Sequence, residues 1–393
     1  MRPQRLPAAW AATAPAWAIS RGSVILAGYF AVLLIGFPGR LPVRFSENVF
    51  VNLPARWDAT WYVDVAVNGY RWRGVSSEQQ NVAFFPAFPL TMGAGGALLG
   101  AYAPDARRTV AHRRMLIAGW LVALGTFWFA LVYVYRWSEA RAGPSAARAS
   151  VTLLAAYPFA VFYSAPYSEP LYLLAVAAAF VHFERAEWFR SAGWGFLVGL
   201  VRPNGVLLTI PLALIAAQRR RGEAPHGRSD AGLWVALAAP VAALALHSLY
   251  LHQLTGRWFA WSEVQAAWGR TYDVTSWLGM GLSDIAEHGV ARYVEAQPVT
   301  VLNGLAAAMA VALLWPVMRT AGLPYAVFVF VNLVPALASG GLMSVGRFTS
   351  TLFPLFFALA VSIREQHATA WIVGFSVLQG LVAVLFFTWR PPY

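Results

Sequence analysis

The chain has 393 residues, 59% of them hydrophobic and only 12% charged, with a net charge of +12 and a mean hydropathy of +0.55. Soluble domains carry roughly 25% charged residues, so this composition excludes an ordinary soluble fold and indicates an all-α polytopic membrane protein. No cysteine is present, which excludes disulfides, thiolate metal sites and a cysteine nucleophile.

Apolar runs follow one another over about 22–38, 83–102, 115–135, 149–165, 169–184, 191–217, 232–251, 299–318, 323–340, 347–363 and 368–389. The first is long and has no small-residue cleavage site after it, so a cleavable signal is not expected. The basic residues are arginines in short clusters between apolar runs, a pattern of cytoplasmic retention rather than of nucleic-acid binding. Arg219, Arg220, Arg221 and Arg228 mark the inside most strongly, and Arg2, Arg5 and Arg21 belong with them. Residues 39–82 then form a first outer loop with interfacial helices, and 252–297 a second. Arg347 starts a span on the outer side and Arg364 ends it inside. The whole of 1–393 reads as one integral membrane domain.

Two topologies fit the middle of the chain. In one, the Gly- and Pro-containing 83–102 segment lies along the outer surface, extending the first loop to 102. The basic 136–148 loop is then inside, "YSAPYSEP" emerges outside, and 191–217 crosses twice with a break at "RPNG". In the other, 83–102 spans, 191–217 crosses once and "YSE" is inside. As one helix 191–217 would be about 40 Å long, against a hydrocarbon core of roughly 30 Å. Both topologies give about eleven crossings.

"RWDATWYVDVAVNGY", residues 56–70, reads as an amphipathic helix at the outer surface, with Pro54 in its first turn and Asn68-Gly69 as its stop. Trp57, Trp61, Asp64 and Asn68 share one side at helical spacing; Asp58, Trp61, Tyr62 and Val65 share a neighbouring one. Asp58 and Asp64 are six positions apart, so they cannot face one pocket as an acid/base pair. An aromatic belt accounts for the tryptophans at a membrane interface. A partly desolvated carboxylate between them is suited to accept a proton from a sugar hydroxyl.

Four strings, "RWDATWYVDVAVNGY", "NVAFFPAFPL", "YPFAVFYSAPYSEPLYLL" and "VRPNGVLL", occur in an order that resembles the GPI second-mannose mannosyltransferases and their bacterial relatives, within the GT-C superfamily of polytopic glycosyltransferases. The resemblance covers residues 50–210, with a weaker echo in "VQAAWGR" and "GRFTSTLFPLF". It implies a GT-C-like fold, a polyprenyl- or dolichyl-phosphate sugar donor, mannose as the sugar, transfer on the outer face and an essential acid in the first outer loop. That acid maps onto Asp58.

The remaining candidates divide by chemistry. Arg202 and Arg347 stand alone at apolar boundaries, where a planar fork of donors matches phosphate oxygens; Asn204 adds an amide at the expected helix break. Snorkelling to the interface accounts for the same arginines without a ligand. Glu169 either caps the start of an apolar helix with help from Ser168 or binds acceptor hydroxyls or orients a catalytic partner. Arg56, Trp57, Trp61 and Tyr167 join it as acceptor contacts. A second outer aromatic patch runs from Trp258 through Trp261 and Trp268 to Tyr272, with Gln265 and Arg270 as its polar candidates. His182 and His247 read as buried or boundary residues. No metal-ligand spacing, Walker A, GxSxG or dinucleotide fingerprint is present, and a metal-independent reaction is expected, with arginine neutralising the leaving phosphate. The acceptor is a glycolipid, a glycan or a protein. Two other classes share these features: a flippase for lipid-linked sugars, which needs no base, and a non-enzymatic assembly subunit. The lack of an evident inverted repeat and the concentration of polar residues in outer loops weigh against a transporter.

Overall fold

A computed structural model describes residues 6–39, 44–104, 107–222, 231–270, 274–338 and 341–391. Arg2, Arg5, Arg228 and Tyr272 lie outside these. Among the described residues the regular structure is helical throughout, without strands. The all-α expectation is met.

Helix α1 (Leu6–Leu34) begins well before the apolar run at 22. The hydroxyls of Thr13 and Ser20 bond back to the carbonyls of Ala9 (3.0 Å) and Ala16 (2.6 Å), which keeps these polar residues compatible with an apolar helix. Arg21 is not a flanking cytoplasmic charge. It is buried in the middle of α1 and donates to the carbonyl of Ala155 (3.0 Å), the carbonyl of Ala160 (2.5 Å) and the hydroxyl of Ser164 (2.8 Å). The Ala155 carbonyl is freed where a helix ends before Pro158 and the Ala160 carbonyl lies in the turn that follows; one long donor fork reaches both.

Helices α2 (Ala59–Asn68) and α3 (Ala87–Leu98) follow. At 12 residues, α3 is about 18 Å long, too short to cross a ~30 Å core alone. Helix α4 (Arg108–Ala156) carries a sharp corner at Gly143 (φ 78°, ψ 177°) and Pro144. Ser138 and Ser150 would be about 18 Å apart along a straight helix, yet their hydroxyls are 3.4 Å apart. The two arms therefore fold back on each other. The expected 136–148 loop is helical, its reversal confined to a glycine conformation and a proline that cannot continue the ladder.

A 3₁₀ turn, Pro158–Ser164, leads to α5 (Glu169–Glu184), buried along nearly its whole length. Having no lipid-facing side, α5 is apolar all round. Helix α6 (Trp188–Val201) ends at an extended Arg202 (φ −153°, ψ 150°); a 3₁₀ turn, Pro203–Leu208, then leads to α7 (Thr209–Gly222). The break expected at "RPNG" is present. Pro203 interrupts the helix, and a Cβ on Gly205 would lie 2.3 Å from the Val198 carbonyl oxygen. Helix α8 (Ala231–Thr255) packs against α6 so closely that a Cβ on Gly199 would meet the Pro240 carbonyl oxygen at 2.4 Å.

The remaining helices are α9 (Ala260–Glu263), α10 (Val274–His288), α11 (Val290–Ala296), α12 (Pro298–Ala312), α13 (Leu314–Thr320), α14 (Leu323–Ala338), α15 (Val345–Ser350), α16 (Phe353–Ser362) and α17 (Glu365–Phe387). Among the described residues five helical stretches are long and apolar enough to cross a membrane: 7–34, 108–156, 231–255, 298–320 and 365–387. The chain is an integral membrane protein.

Helix α5 fixes the two ends of the bundle. At its C-terminus Glu184 pairs with Arg141, accepts from Tyr325 (2.7 Å) and, through its carbonyl, from Arg219. At its N-terminus stands Glu169. Since α6 and α7 leave and return to the Glu184 end, the chain turns at Arg202–Leu208 on the Glu169 end.

Candidate active site

The chain reaches the site through a strained turn. Trp57 has a left-handed backbone (φ 51°), which costs a non-glycine residue about 1–3 kcal/mol. Its indole N–H donates to the Phe386 carbonyl (3.1 Å), and its ring packs on Trp389 at 4.6 Å. Arg56, 1% exposed, donates to the carbonyls of Phe387 (2.8 Å), Asn52 (2.9 Å) and Ala55 (3.0 Å). Both side chains therefore satisfy the end of α17. The donors of Arg56 and Trp57 that make these bonds are engaged by backbone, so the two side chains anchor the turn. Trp57 also precedes α2 instead of belonging to it, because its φ is incompatible with a helix.

This anchoring presents Asp58 at the start of α2. Its backbone N–H donates to the Tyr167 hydroxyl at 3.1 Å. Its carboxylate makes no capping bond; Oδ2 accepts from Arg347 Nη1 at 2.7 Å instead. The Nε–H of the same guanidinium donates to Glu169 Oε1, and Arg202 Nη1 reaches that oxygen at 2.9 Å. Asp58, Arg347, Glu169 and Arg202 thus form one alternating chain of charge, built from α2, α15, α5 and the break after α6.

Accessibility differs sharply along it. The Glu169 side chain is 0% exposed and the Asp58 side chain 18%, with Arg347 at 10% and Arg202 at 11%. Asp58 is the carboxylate within reach of a bound molecule. Glu169 is sealed, and its Oε2 makes no hydrogen bond among the described residues. Its Oε1 holds the two arginines. The expected Ser168 cap is absent: Ser168 Oγ accepts from the Tyr62 hydroxyl at 2.9 Å. Burial and the Glu169 charge push the Tyr62 hydroxyl above its ordinary pKa, so it stays a donor.

Tyr167 is fully buried, with the Arg347 guanidinium 4.7 Å from its ring centre. Its hydroxyl accepts from the Asp58 N–H and its ring lies beside the Arg347 guanidinium. Asn204 donates to Asn332 Oδ1 (2.8 Å) and to the Tyr172 hydroxyl (3.2 Å), pinning the chain break to α14 and α5. Its amide N–H groups are engaged inside the protein.

The second aromatic patch divides. Trp258 stacks on His252 (4.3 Å) and Trp261 packs against Phe85 (5.6 Å). Trp268 reaches Trp61 at 5.9 Å, and both approach Phe84 at 5.9 Å. The Gln265 amide donates to the Trp261 carbonyl in the preceding helix (3.4 Å). Arg270 lies 5.3 Å from the centre of the Phe348 ring, and Arg202 lies 4.8 Å from the same ring. Phe348, within "GRFTSTLFPLF", thereby joins the 252–297 segment to the charged chain. The signal for it was its place directly after Arg347. His182, bonded to Tyr133 (3.1 Å) and Glu187 (2.5 Å), and His247, 3% exposed, are structural.

Residues 35–218 match the family model described as Mannosyltransferase (PIG-V). The match takes in Asp58, Tyr167, Glu169, Arg202 and Asn204, bears out the resemblance read from the four motifs, and supports a glycosyltransferase. Arg270 and Arg347 lie beyond it. No curated protein matches the chain. Among solved structures, the Archaeoglobus fulgidus oligosaccharyltransferase in the apo form is similar at 11% identity and a TM-score of 0.49, over 96% of this chain and 56% of that one. The archaeal oligosaccharyltransferase AglB from Archaeoglobus fulgidus, in complex with an inhibitory peptide and a dolichol-phosphate, is similar at 11% identity and a TM-score of 0.45, over 95% and 56%. The chain spans about half the length of these relatives.

Proposed function

We propose, proceeding from the match of residues 35–218 to the mannosyltransferase (PIG-V) family, that this protein moves a mannosyl group from a polyprenyl-phosphate donor to an acceptor hydroxyl, with inversion. The observation that carries the reading is the charged chain that leaves Asp58 as its one accessible carboxylate. Asp58 accepts the proton of the acceptor hydroxyl while that oxygen attacks the anomeric carbon. The bond from the anomeric carbon to the phosphate oxygen breaks on the opposite face, and polyprenyl phosphate leaves with the electron pair.

Arg347, Arg202 and Arg270 receive the phosphate. Arg347 spends only Nε–H and one Nη1 contact on carboxylates, and Arg202 only Nη1, so both keep N–H groups for a phosphate. As the phosphate competes for Arg347, Asp58 Oδ2 is released to take a proton. Arginine supplies the neutralisation, and the reaction needs no metal ion.

The fold reads as about eleven crossings: α1, both arms of α4, then α5, α6, α7, α8, α12 with α13, α14, α15 with α16, and α17. The Glu184 end carries the arginines of α7 and reads as cytoplasmic. The Asp58 end then faces outward from a bacterial plasma membrane.

The test uses purified full-length protein in lipid nanodiscs with polyprenyl-phosphate mannose and candidate glycolipid acceptors. Mannosylated product is expected from the native chain. Asp58→Asn is expected to fold and bind donor with transfer reduced at least about 100-fold, the low end for a lost general base. An active Asn variant, or donor moving between leaflets without product, overturns the proposal.

A further inference from the structure

A cleft of about 550 Å³ opens on the flank of α2, within a turn of Asp58. That is inside the roughly 300–1,000 Å³ range of small-molecule sites. Its wall includes Trp61 and Asp64 from α2, Arg71, Trp72 and Arg73 from the following loop, and His112 from α4. None of these belongs to the charged chain.

The cleft is built rather than incidental. Asp64 Oδ1 accepts from Asn68 (2.8 Å) and Oδ2 from Asn81 (2.8 Å), so the carboxylate is held in one orientation with lone pairs to spare. The loop is fastened by two buried amides: Asn81 Oδ1 accepts the Arg71 backbone N–H (3.0 Å) and Gln80 Oε1 the Arg73 backbone N–H (2.8 Å). Trp61 is braced against Phe84 with its ring 16° from parallel. The Arg71 guanidinium has no carboxylate within ion-pair distance among the described residues. Arg73 reaches Glu78 at 3.3 Å, but both side chains are more than half exposed, so water and ligand compete for that pair. A fixed carboxylate beside an indole matches hydroxyls and the apolar face of a sugar ring. An uncompensated guanidinium a few residues on matches an oxyanion.

We infer that this cleft is the acceptor subsite and that it takes a saccharide bearing an anionic substituent, a phosphate or a carboxylate. Trp61 and Asp64 hold the sugar ring; Arg71 and Arg73 hold the anion. Asp58 and Asp64 are about 9 Å apart along the axis of α2. The inference rests on the transferase reading for the name "acceptor", but the binding it asserts does not.

The experiment is saturation-transfer NMR on the full chain in nanodiscs, with mannose 6-phosphate, glucuronic acid, mannose and inorganic phosphate as probes. Both anionic sugars are expected to bind at least tenfold more tightly than mannose. In Arg71→Gln/Arg73→Gln that preference is expected to vanish, while unfolding temperature and donor binding stay unchanged. Asp64→Asn is expected to weaken all three sugars and leave inorganic phosphate unaffected. Equal binding of mannose and its phosphate overturns the anionic half, and inorganic phosphate matching mannose 6-phosphate overturns the saccharide half. Binding as expected without any transfer leaves the cleft in place and overturns the catalytic proposal instead.

Discussion

Glu169→Gln is the sharpest perturbation of the charged chain, because volume is kept and only charge and one acceptor are lost. In the native protein Oε1 serves both Arg347 and Arg202 in a place with no exposure. Removing the charge leaves Arg202 without a carboxylate and places an amide where Oε2 has no partner. Breaking a buried pair from one side costs about 3–5 kcal/mol, in keeping with ~4 kcal/mol for unit charges 4 Å apart at an effective dielectric of 20. Asp58→Asn removes one contact from a side chain that is 18% exposed, and Arg347 keeps Glu169. That loss is one charged hydrogen bond, about 1.5–3 kcal/mol. Urea unfolding in a matched detergent, followed by tryptophan fluorescence, should therefore rank native above Asp58→Asn above Glu169→Gln. Adding Arg202→Gln to Glu169→Gln should cost less than the sum of the two single changes, by roughly 0.5–3 kcal/mol. Native-like stability of Glu169→Gln, or strictly additive double-variant energies, would refute the shared-charge argument.

Gly346→Ala tests how Arg347 is aimed. An added Cβ would meet the Phe159 ring at 2.2 Å, and the Gly346 N–H donates to Asn303 Oδ1 at 2.9 Å. The alanine variant should displace α15 and weaken donor binding at least tenfold, as measured by isothermal calorimetry; unaltered donor affinity would show that Arg347 does not depend on this packing. Transfer should persist in millimolar EDTA and gain nothing from added magnesium or manganese, as measured by product formation. Loss of activity on chelation, restored by metal, would remove arginine from its role as the neutralising group.

Much of the bundle was legible because hydropathy and punctuation are local. The runs at 323–340, 368–389 and 232–251 fall on α14, α17 and α8 within a few residues. The "RPNG" break is where proline and glycine chemistry puts it, and Gly69 (φ 72°) ends α2 as expected. The misplaced parts have a common cause. Residues 136–148 are basic and end in Gly-Pro, so they resemble a loop, but a corner needs only two residues. Arg21 resembles a flanking charge because nothing local reveals that distant carbonyls await it.

For the site, the sequence by itself determined the residue types: two acidic residues among tryptophans after the first apolar run, solitary arginines at apolar boundaries and a helix broken at 202–205. Periodicity alone also separated Asp58 from Asp64, which face different clusters in the folded chain. Only the tertiary structure decided the pairings. Arg347 lies 289 positions from Asp58 and 178 from Glu169, and no local pattern encodes which arginine meets which carboxylate. It likewise engaged donors of Arg56, Trp57 and Asn204 within the protein, since whether a polar side chain is spent on backbone depends on what is packed against it. A helix is written in its own residues, but a charge network depends on which helices become neighbours.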